Sequence, residues 1–557
     1  MSLLFFDLPE LTLEQLDSCT LRLDALESWL GELPFAHPSI CSQKLNGLLT
    51  EFNQLKFIPL RRLEWLNLLQ PAVNKVMQGL DRGSHLQQEG DQAQALQQHL
   101  AQGYKRVIND LLKLREQLLP HLLARSLLQA LFAALENSSA LILRSCLLSV
   151  NAPQTSWQEL NLLYNLACQS RLQHKNLKET APLNCEQVYF QALLLGLIQA
   201  ESLRRDEINQ VYPLLAEWSR LINRLAYNHP HRLFVITAEN NYAPKRATLN
   251  TEEKNKPQLS NGAKYRGLAL DTRMLAETLQ ETLAKSNLSK RLIQHLATCL
   301  GEVSTRITPR ITTNEPITLV LGLRSVHFHM NNQRTLDTLI AGSNVAKGAI
   351  KSNPFLNNTN LQDPWAAAFD TGENNSSGNI QLIEMESNLS TSLEEELSKR
   401  HPVHQLVQIN ASATGYCLFW LGEAADQLKT GELVAFKEKA SEPWQAGLIR
   451  WVREAAEGQQ LGVERLGGRM QPCAVKPIIK VGEPRDYMPG FLIPELPVLG
   501  VSAGLITPLL PFREGQKVEI SYSQGVEKAR LVELISSPGE FNHFRLESLG
   551  QKGLSLH

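Results

Sequence analysis

The sequence predicts a multidomain α+β protein: an N-terminal α-helical region, an antiparallel β-barrel and a second small β unit. Three observations predict it. Leucines recur at three- and four-residue spacing from residue 11 to about 228, the period of an amphipathic helix. From about 315 the pattern changes to short β-branched runs separated by turn residues, as in a series of strands. The 557 residues are 43% apolar and 20% charged, a globular balance with room for several domains.

Residues 1–228 read as a helical bundle or helical-pair array. LRRLEWLNLLQPAVNKVM, YKRVINDLLKLREQLL and VYFQALLLGLIQAESLRR each carry an apolar stripe. Breaks are expected at Pro71, Gly83, Gly90, Pro153 and Pro182. The apolar run LLPHLLARSLLQALFAAL is interrupted by His121 and Arg125 before membrane length, so no membrane span is expected. The N-terminus has no basic n-region and soon meets Asp7, Glu10 and Glu14, unlike a signal peptide. Eight scattered cysteines include no CxxC pair. They read as reduced core residues of a cytoplasmic protein.

Residues 229–290 read as a small α/β connector. HPHRLFVITAEN supplies a strand, and DTRMLAETLQETLAKS a helix with Asp271 as N-cap. Residues 291–480 read as a barrel. Its strands are EPITLVLGLRSVHFHM, HQLVQIN, GYCLFWLG, GELVAFKE, WQAGLIRWVRE and QQLGVERL. A polar insertion, 331–402, is rich in Asn and Ser and carries the isolated apolar motif DPWAAAFD. Residues 481–557 read as a second small β unit with strands such as QKVEISYS and KARLVELIS. Packing is its expected role.

Two short patterns stand out in the barrel region. STRITPRITT places Arg306 and Arg310 four residues apart, just before the first strand. QINASATGYCLFW places Asn410, Ser412 and Gly415 in an NxSxxG pattern between the next two strands, the one such pattern in the chain. The net charge is −1, yet Lys285, Lys290, Arg291, Arg306 and Arg310 stand against Glu302 alone, a local +4. An anion site therefore has to be local, and this window could supply it.

RxxxR, then a strand, then NxSxxG, then GLIRWVRE and LGVERLGG: this order resembles the PilZ domain, a bacterial receptor module for cyclic di-GMP, over about 300–475. The chain departs from that family in its long insertion and in having Asn rather than Asp at the first motif position. The resemblance implies a receptor for cyclic di-GMP, with Arg306, Arg310, Asn410, Ser412 and Gly415 as the ligand-binding residues. The chemistry suits them. A guanidinium fork matches the paired guanine acceptors N7 and O6, and it also pairs with phosphate. Pro309 keeps the arginine segment extended. Asn410 and Ser412 alternate and so share one face of an extended chain. Gly415 removes a Cβ where backbone must bend or approach a ligand closely.

His327 and His329 sit at i and i+2 on an expected strand but have no third ligand, so no metal site is expected. The loop pair His229 and His231 reads the same way. No GxSxG, HExxH, P-loop or dinucleotide fingerprint occurs, so neither an enzyme nor a resident cofactor is expected. A near-neutral charge argues against a nucleic-acid binder. The sequence thus favours a receptor that relays the second-messenger signal to a protein partner through its helical region. The alternative is a non-enzymatic scaffold with a degenerate barrel.

Overall fold

The computed structural model describes residues 6–549, except 7, 82–85, 115, 154, 178–182, 238–241, 248–266, 282–287, 303–310, 346–395, 413, 423–424, 426–427, 456, 467–469, 480–484 and 494–502. Two compact units divide the chain, 1–307 and 308–557.

The first unit is built from helices Leu23–Gly31, Pro38–Gln54, Pro59–Leu80, Leu86–Lys113, Pro120–Leu148, Ser156–Gln169, Cys185–Leu197 and Arg205–Trp218. Three of them begin with proline, whose missing N–H costs nothing in a first turn. Helix Cys185–Leu197 starts with a reciprocal Asn184–Gln187 capping box.

Two expected breaks are not breaks. Pro71 lies on the exposed side of helix Pro59–Leu80, which continues through it. Gly90 lies inside helix Leu86–Lys113, where a Cβ would stand 2.5 Å from Leu148 Cδ2. That glycine lets two helices close on each other rather than ending one. Helix Pro120–Leu148 is long and apolar enough to cross a membrane, but two-thirds of its most apolar stretch is buried inside the unit. Phe52 and Trp65 stack at the core, 5.4 Å apart, with Phe57 edge-on.

A four-stranded antiparallel sheet follows, from β1 (Asn223–Ala226), β2 (Phe234–Ile236), β3 (Lys245–Arg246) and β4 (Leu268–Asp271), in the order β1-β4-β2-β3. Helices Arg273–Glu281 and Lys290–Leu300 come next. Their apolar faces and the sheet's join the same continuous core as the preceding helices. Asp271 accepts from the Arg273 backbone N–H and from its guanidinium, so it bridges strand and helix.

The second unit holds two closed antiparallel barrels of six strands each. In the first, β6 (Pro316–Leu321), β7 (His404–Ser412), β8 (Gly415–Leu421), β9 (Leu433–Lys437), β10 (Gln445–Ala455) and β11 (Gly458–Arg465) run in the order β7-β6-β9-β10-β11-β8, closed by β7–β8 pairing. β5 (Ile311–Thr312) lies on the same edge of β7 as β6 does, so the two form one interrupted strand. The second barrel has β12 (Gln471–Pro477), β13 (Met488–Ile493), β14 (Gly504–Pro508), β15 (Lys517–Tyr522), β16 (Gly525–Ser536) and β17 (Phe541–Ser548), in the order β12-β13-β14-β17-β16-β15.

The segment expected to be one long strand, 315–330, is two elements. β6 ends at Leu321, Gly322 turns the chain at φ +84°, and Leu323–Met330 is a helix. That helix has an apolar surface to cover. Val326 joins Val320, Leu433, Ala435 and Leu448 of the first barrel with Phe491, Ile506 and Phe541 of the second in a single cluster. The two barrels therefore share a core. His327 and His329 do not face the same way. His327 Nε2–H donates to the Cys473 carbonyl in the second barrel (3.1 Å), while His329 Nε2–H donates to the His401 carbonyl (3.0 Å). Among the described residues no three His, Cys, Asp or Glu side chains gather as a metal site.

Candidate functional site

The site is built on the outer face of the first barrel, where β7 meets β8. A β-bulge interrupts their pairing between Gln408 and Asn410. Before it, Leu406 and Gln408 are buried and Val407 is exposed. After it, Ala411 packs on the barrel core, so its neighbours Asn410 and Ser412 point the other way, half-buried. The bulge re-aims the strand and brings an amide and a hydroxyl to the outer face.

Ser412 pairs with Gly415 across a two-residue loop. Its Oγ–H donates to the Gly415 carbonyl (3.2 Å) and lies 3.3 Å from Thr414 Oγ1. The space that a Gly415 Cβ would fill is occupied by the Val463 carbonyl, 2.1 Å from the Cβ position. Pairing of β8 with β11 demands a glycine here in its own right.

Arg306 and Arg310 lie outside the described residues. The chain becomes described at Ile311, directly after Arg310, and there it joins β7. Ile311 pairs with Ala411 and Thr312 with Asn410, and the Thr313 N–H donates to the Ile409 carbonyl (3.1 Å). In sequence Arg310 is thus followed directly by β5, which pairs with the strand carrying Asn410 and Ser412 although an insertion separates the two in the chain.

The outer face continues across the sheet through residues that sequence reasoning did not single out. Asn410 pairs with Cys417, Cys417 with Gly462 and Gly462 with Trp451. The indole of Trp451 lies over Gly462, where any Cβ would come 2.1 Å from Nε1. The Arg453 guanidinium sits 5.0 Å from the indole centre. Alternation along GLIRWVRE does put Trp451 and Arg453 on one face. Only the register across β11, set by a second bulge between Ile449 and Trp451, brings them into line with Asn410.

Beneath the hairpin, Tyr416 is buried and pairs with Ala411. Its hydroxyl donates to Glu438 Oε1 (2.7 Å) and accepts from the Arg465 guanidinium, which also lies 5.1 Å from its ring centre. Burial, followed by the hydrogen bond to Glu438, pushes the Tyr416 hydroxyl above its ordinary pKa, with Arg465 opposing. The tyrosine therefore keeps its proton and donates. Arg465 also borders a groove of about 740 Å³ lined by Trp444, Leu466, Met470 and His329.

This surface offers hydrogen-bonding groups for a base edge, an aromatic face beside a guanidinium, and a glycine-flattened shelf. Such a combination suits a nucleotide, with a planar base and an anionic phosphate.

Comparison with known proteins gives matches along nearly the whole chain. Residues 24–226 match the model "Cyclic-di-GMP receptor FimW, N-terminal domain". Residues 233–472 match "Cyclic-di-GMP receptor FimW, middle PilZ domain", and 473–549 match "FimW C-terminal beta-barrel domain". The chain is 27% identical to the Cyclic-di-GMP receptor FimW of Pseudomonas aeruginosa, covering 97% of this chain and 93% of that protein. No solved structure matches. With the three domains present in order, and a PilZ barrel in the middle, the chain belongs to this bacterial PilZ-domain family.

Proposed function

We propose that the protein is a non-enzymatic, cytoplasmic cyclic di-GMP receptor. It binds the dinucleotide on the outer face of the first barrel. Arg306 and Arg310 clamp guanine and phosphate, Asn410 and Ser412 complete the hydrogen bonds, and Gly415 keeps the hairpin flat beside the ligand. One observation supports this reading: Ile311 and Thr312, which follow the arginine motif in sequence, pair with Ala411 and Asn410 of the hairpin. The relative's name as a cyclic di-GMP receptor supports the choice of ligand.

The occupied barrel passes its signal to a protein partner through the helical region. Exposed apolar side chains at helix starts there, Ile58 and Leu119, support a contact surface.

Calorimetric titration with cyclic di-GMP tests the reading. Each lost bidentate contact costs about 1–3 kcal/mol. Arg306→Ala/Arg310→Ala should therefore bind at least roughly tenfold more weakly than the wild type. Failure of the wild type to bind would leave a scaffold with a degenerate barrel.

A further inference from the structure

Arg465 has no place in either motif, yet it is tied to the hairpin from outside by both its backbone and its side chain. It ends β11, and its backbone N–H donates to the Thr414 carbonyl (2.8 Å), inside the two-residue loop after Ser412. Its side chain turns beneath the same hairpin, donates to the Tyr416 hydroxyl and lies over the Tyr416 ring. Tyr416 in turn donates to Glu438, the residue after β9. The Tyr416 ring stands edge-on to Phe436, 4.9 Å away. A chain of contacts thus runs from β11 through β8 to β9, under the two residues opposite Tyr416 and Gly415: Ala411 and Ser412.

We infer that Arg465 is a positioning residue of the nucleotide site, resting on the reading above that Asn410 and Ser412 contact cyclic di-GMP. The mechanism is geometric. The hairpin is held from outside at the Thr414 carbonyl and at the first side chain that follows it, Tyr416. Arg465 holds both, one through its backbone and one through its guanidinium. A planar guanidinium can stack on the ring and donate to the hydroxyl together, which a lysine ammonium does poorly. Tyr416 is buried while Arg465 and Glu438 are exposed at the barrel rim, and the guanidinium's charge strengthens its hydrogen bond to the tyrosine. Asn410 and Ser412 are then presented at a fixed spacing before any ligand arrives, so binding costs less ordering.

The test is a mutant cycle read by calorimetry with cyclic di-GMP and by thermal unfolding of the full chain. Tyr416→Phe removes only the hydroxyl between Arg465 and Glu438 and leaves the ring in the core. It should weaken binding several-fold, with little change in melting temperature. Arg465→Ala should weaken binding roughly tenfold, the scale of one lost charge-assisted hydrogen bond. In the Tyr416→Phe background, Arg465→Ala should cost clearly less than it does alone, because both act through one brace.

Equal costs in the two backgrounds would overturn the proposal, as would a Tyr416→Phe variant that binds like the wild type. Arg465→Lys separates the brace from a bare charge. It should bind as weakly as Arg465→Ala, and full binding by Arg465→Lys would overturn the positioning role. If the wild type itself does not bind, the ligand assignment fails rather than the brace.

Discussion

At the residue scale, Arg62 shows how a charge is held inside the helical core. It is fully buried, donates to the backbone carbonyls of Phe52 and Leu55, and lies 4.9 Å from the Phe52 ring centre. It therefore satisfies the end of helix Pro38–Gln54, whose last carbonyls have no partner within the helix. Burial pulls its pKa down to about 10, so it remains charged at neutral pH. Arg62→Ala takes the donor from the Leu55 carbonyl, whereas the Phe52 carbonyl keeps the Leu55 N–H (3.3 Å), and should lower the stability of the first unit by roughly 1–3 kcal/mol in urea unfolding.

Glu432 is the opposite case. Burial, and then neighbouring Glu540, push its carboxyl up to about 7, with Lys429 opposing. An acid whose pKa rises on folding helps the native state only while it is protonated. Its contribution is complete below 4.5 and is lost as pH rises through about 7. His327 runs the other way. Burial pushes its imidazole down to about 4, so its contribution is lost as pH falls from 6.5 through 4. Glu432→Gln should remove up to about 3 kcal/mol of stability loss between the two ends of the glutamate's window. Comparing variant with wild type across that window cancels the histidine. An unchanged difference at every pH would refute the assignment to Glu432.

At the element scale, the β7–β8 hairpin closes the first barrel and carries the residues proposed for recognition. Gly415→Ala puts a methyl 2.1 Å from the Val463 carbonyl, and backbone cannot yield as a side-chain tip can. Overpacking of this kind costs about 1–3 kcal/mol or more. A lowered melting temperature in the absence of ligand is the expected outcome. Lost ligand binding in that variant would then need correction for lost fold.

The hairpin also shows what the sequence could and could not reveal. Period-2 patterning and the turn residues around 413 mark two strands and place Asn410 and Ser412 on one face. They do not reveal the bulge at Ile409, because an inserted residue leaves the composition unchanged. Nor do they reveal Gly462 beneath Trp451 or Arg465 beneath Thr414, since cross-strand register joins segments that no local spacing links. VHFH is β-prone by composition, yet Leu323–Met330 is helical because the shared apolar face there is best covered by a helix. Pro71 and Gly90 are strong local breakers, but the first lies on an exposed side and the second is where Leu148 packs. In both places tertiary context overrides propensity. The helical class of the N-terminal region was legible because long amphipathic segments repeat one period many times.

At the scale of the whole molecule, the second unit has two barrels but not two independent cores. Phe491 of β13 is fully buried in the cluster that includes Val320 and Leu433 of the first barrel, and it stands 5.6 Å from the His327 ring. Phe491→Ala should cost about 3–5 kcal/mol. Hydrogen exchange in the full chain should then accelerate together in peptides from β9 and from β13. Acceleration confined to β13 would mean that the barrels open separately.

Such joint opening has a thermodynamic corollary. A ligand that binds only the native state adds about 2.7 kcal/mol at a hundredfold excess over its dissociation constant. Where two barrels open as one, that increment is spread over both. Amides of β14–β17, outside the proposed site, would slow their exchange as the first barrel fills. The C-terminal barrel would then serve as a remote gauge of occupancy, readable by any probe placed on it.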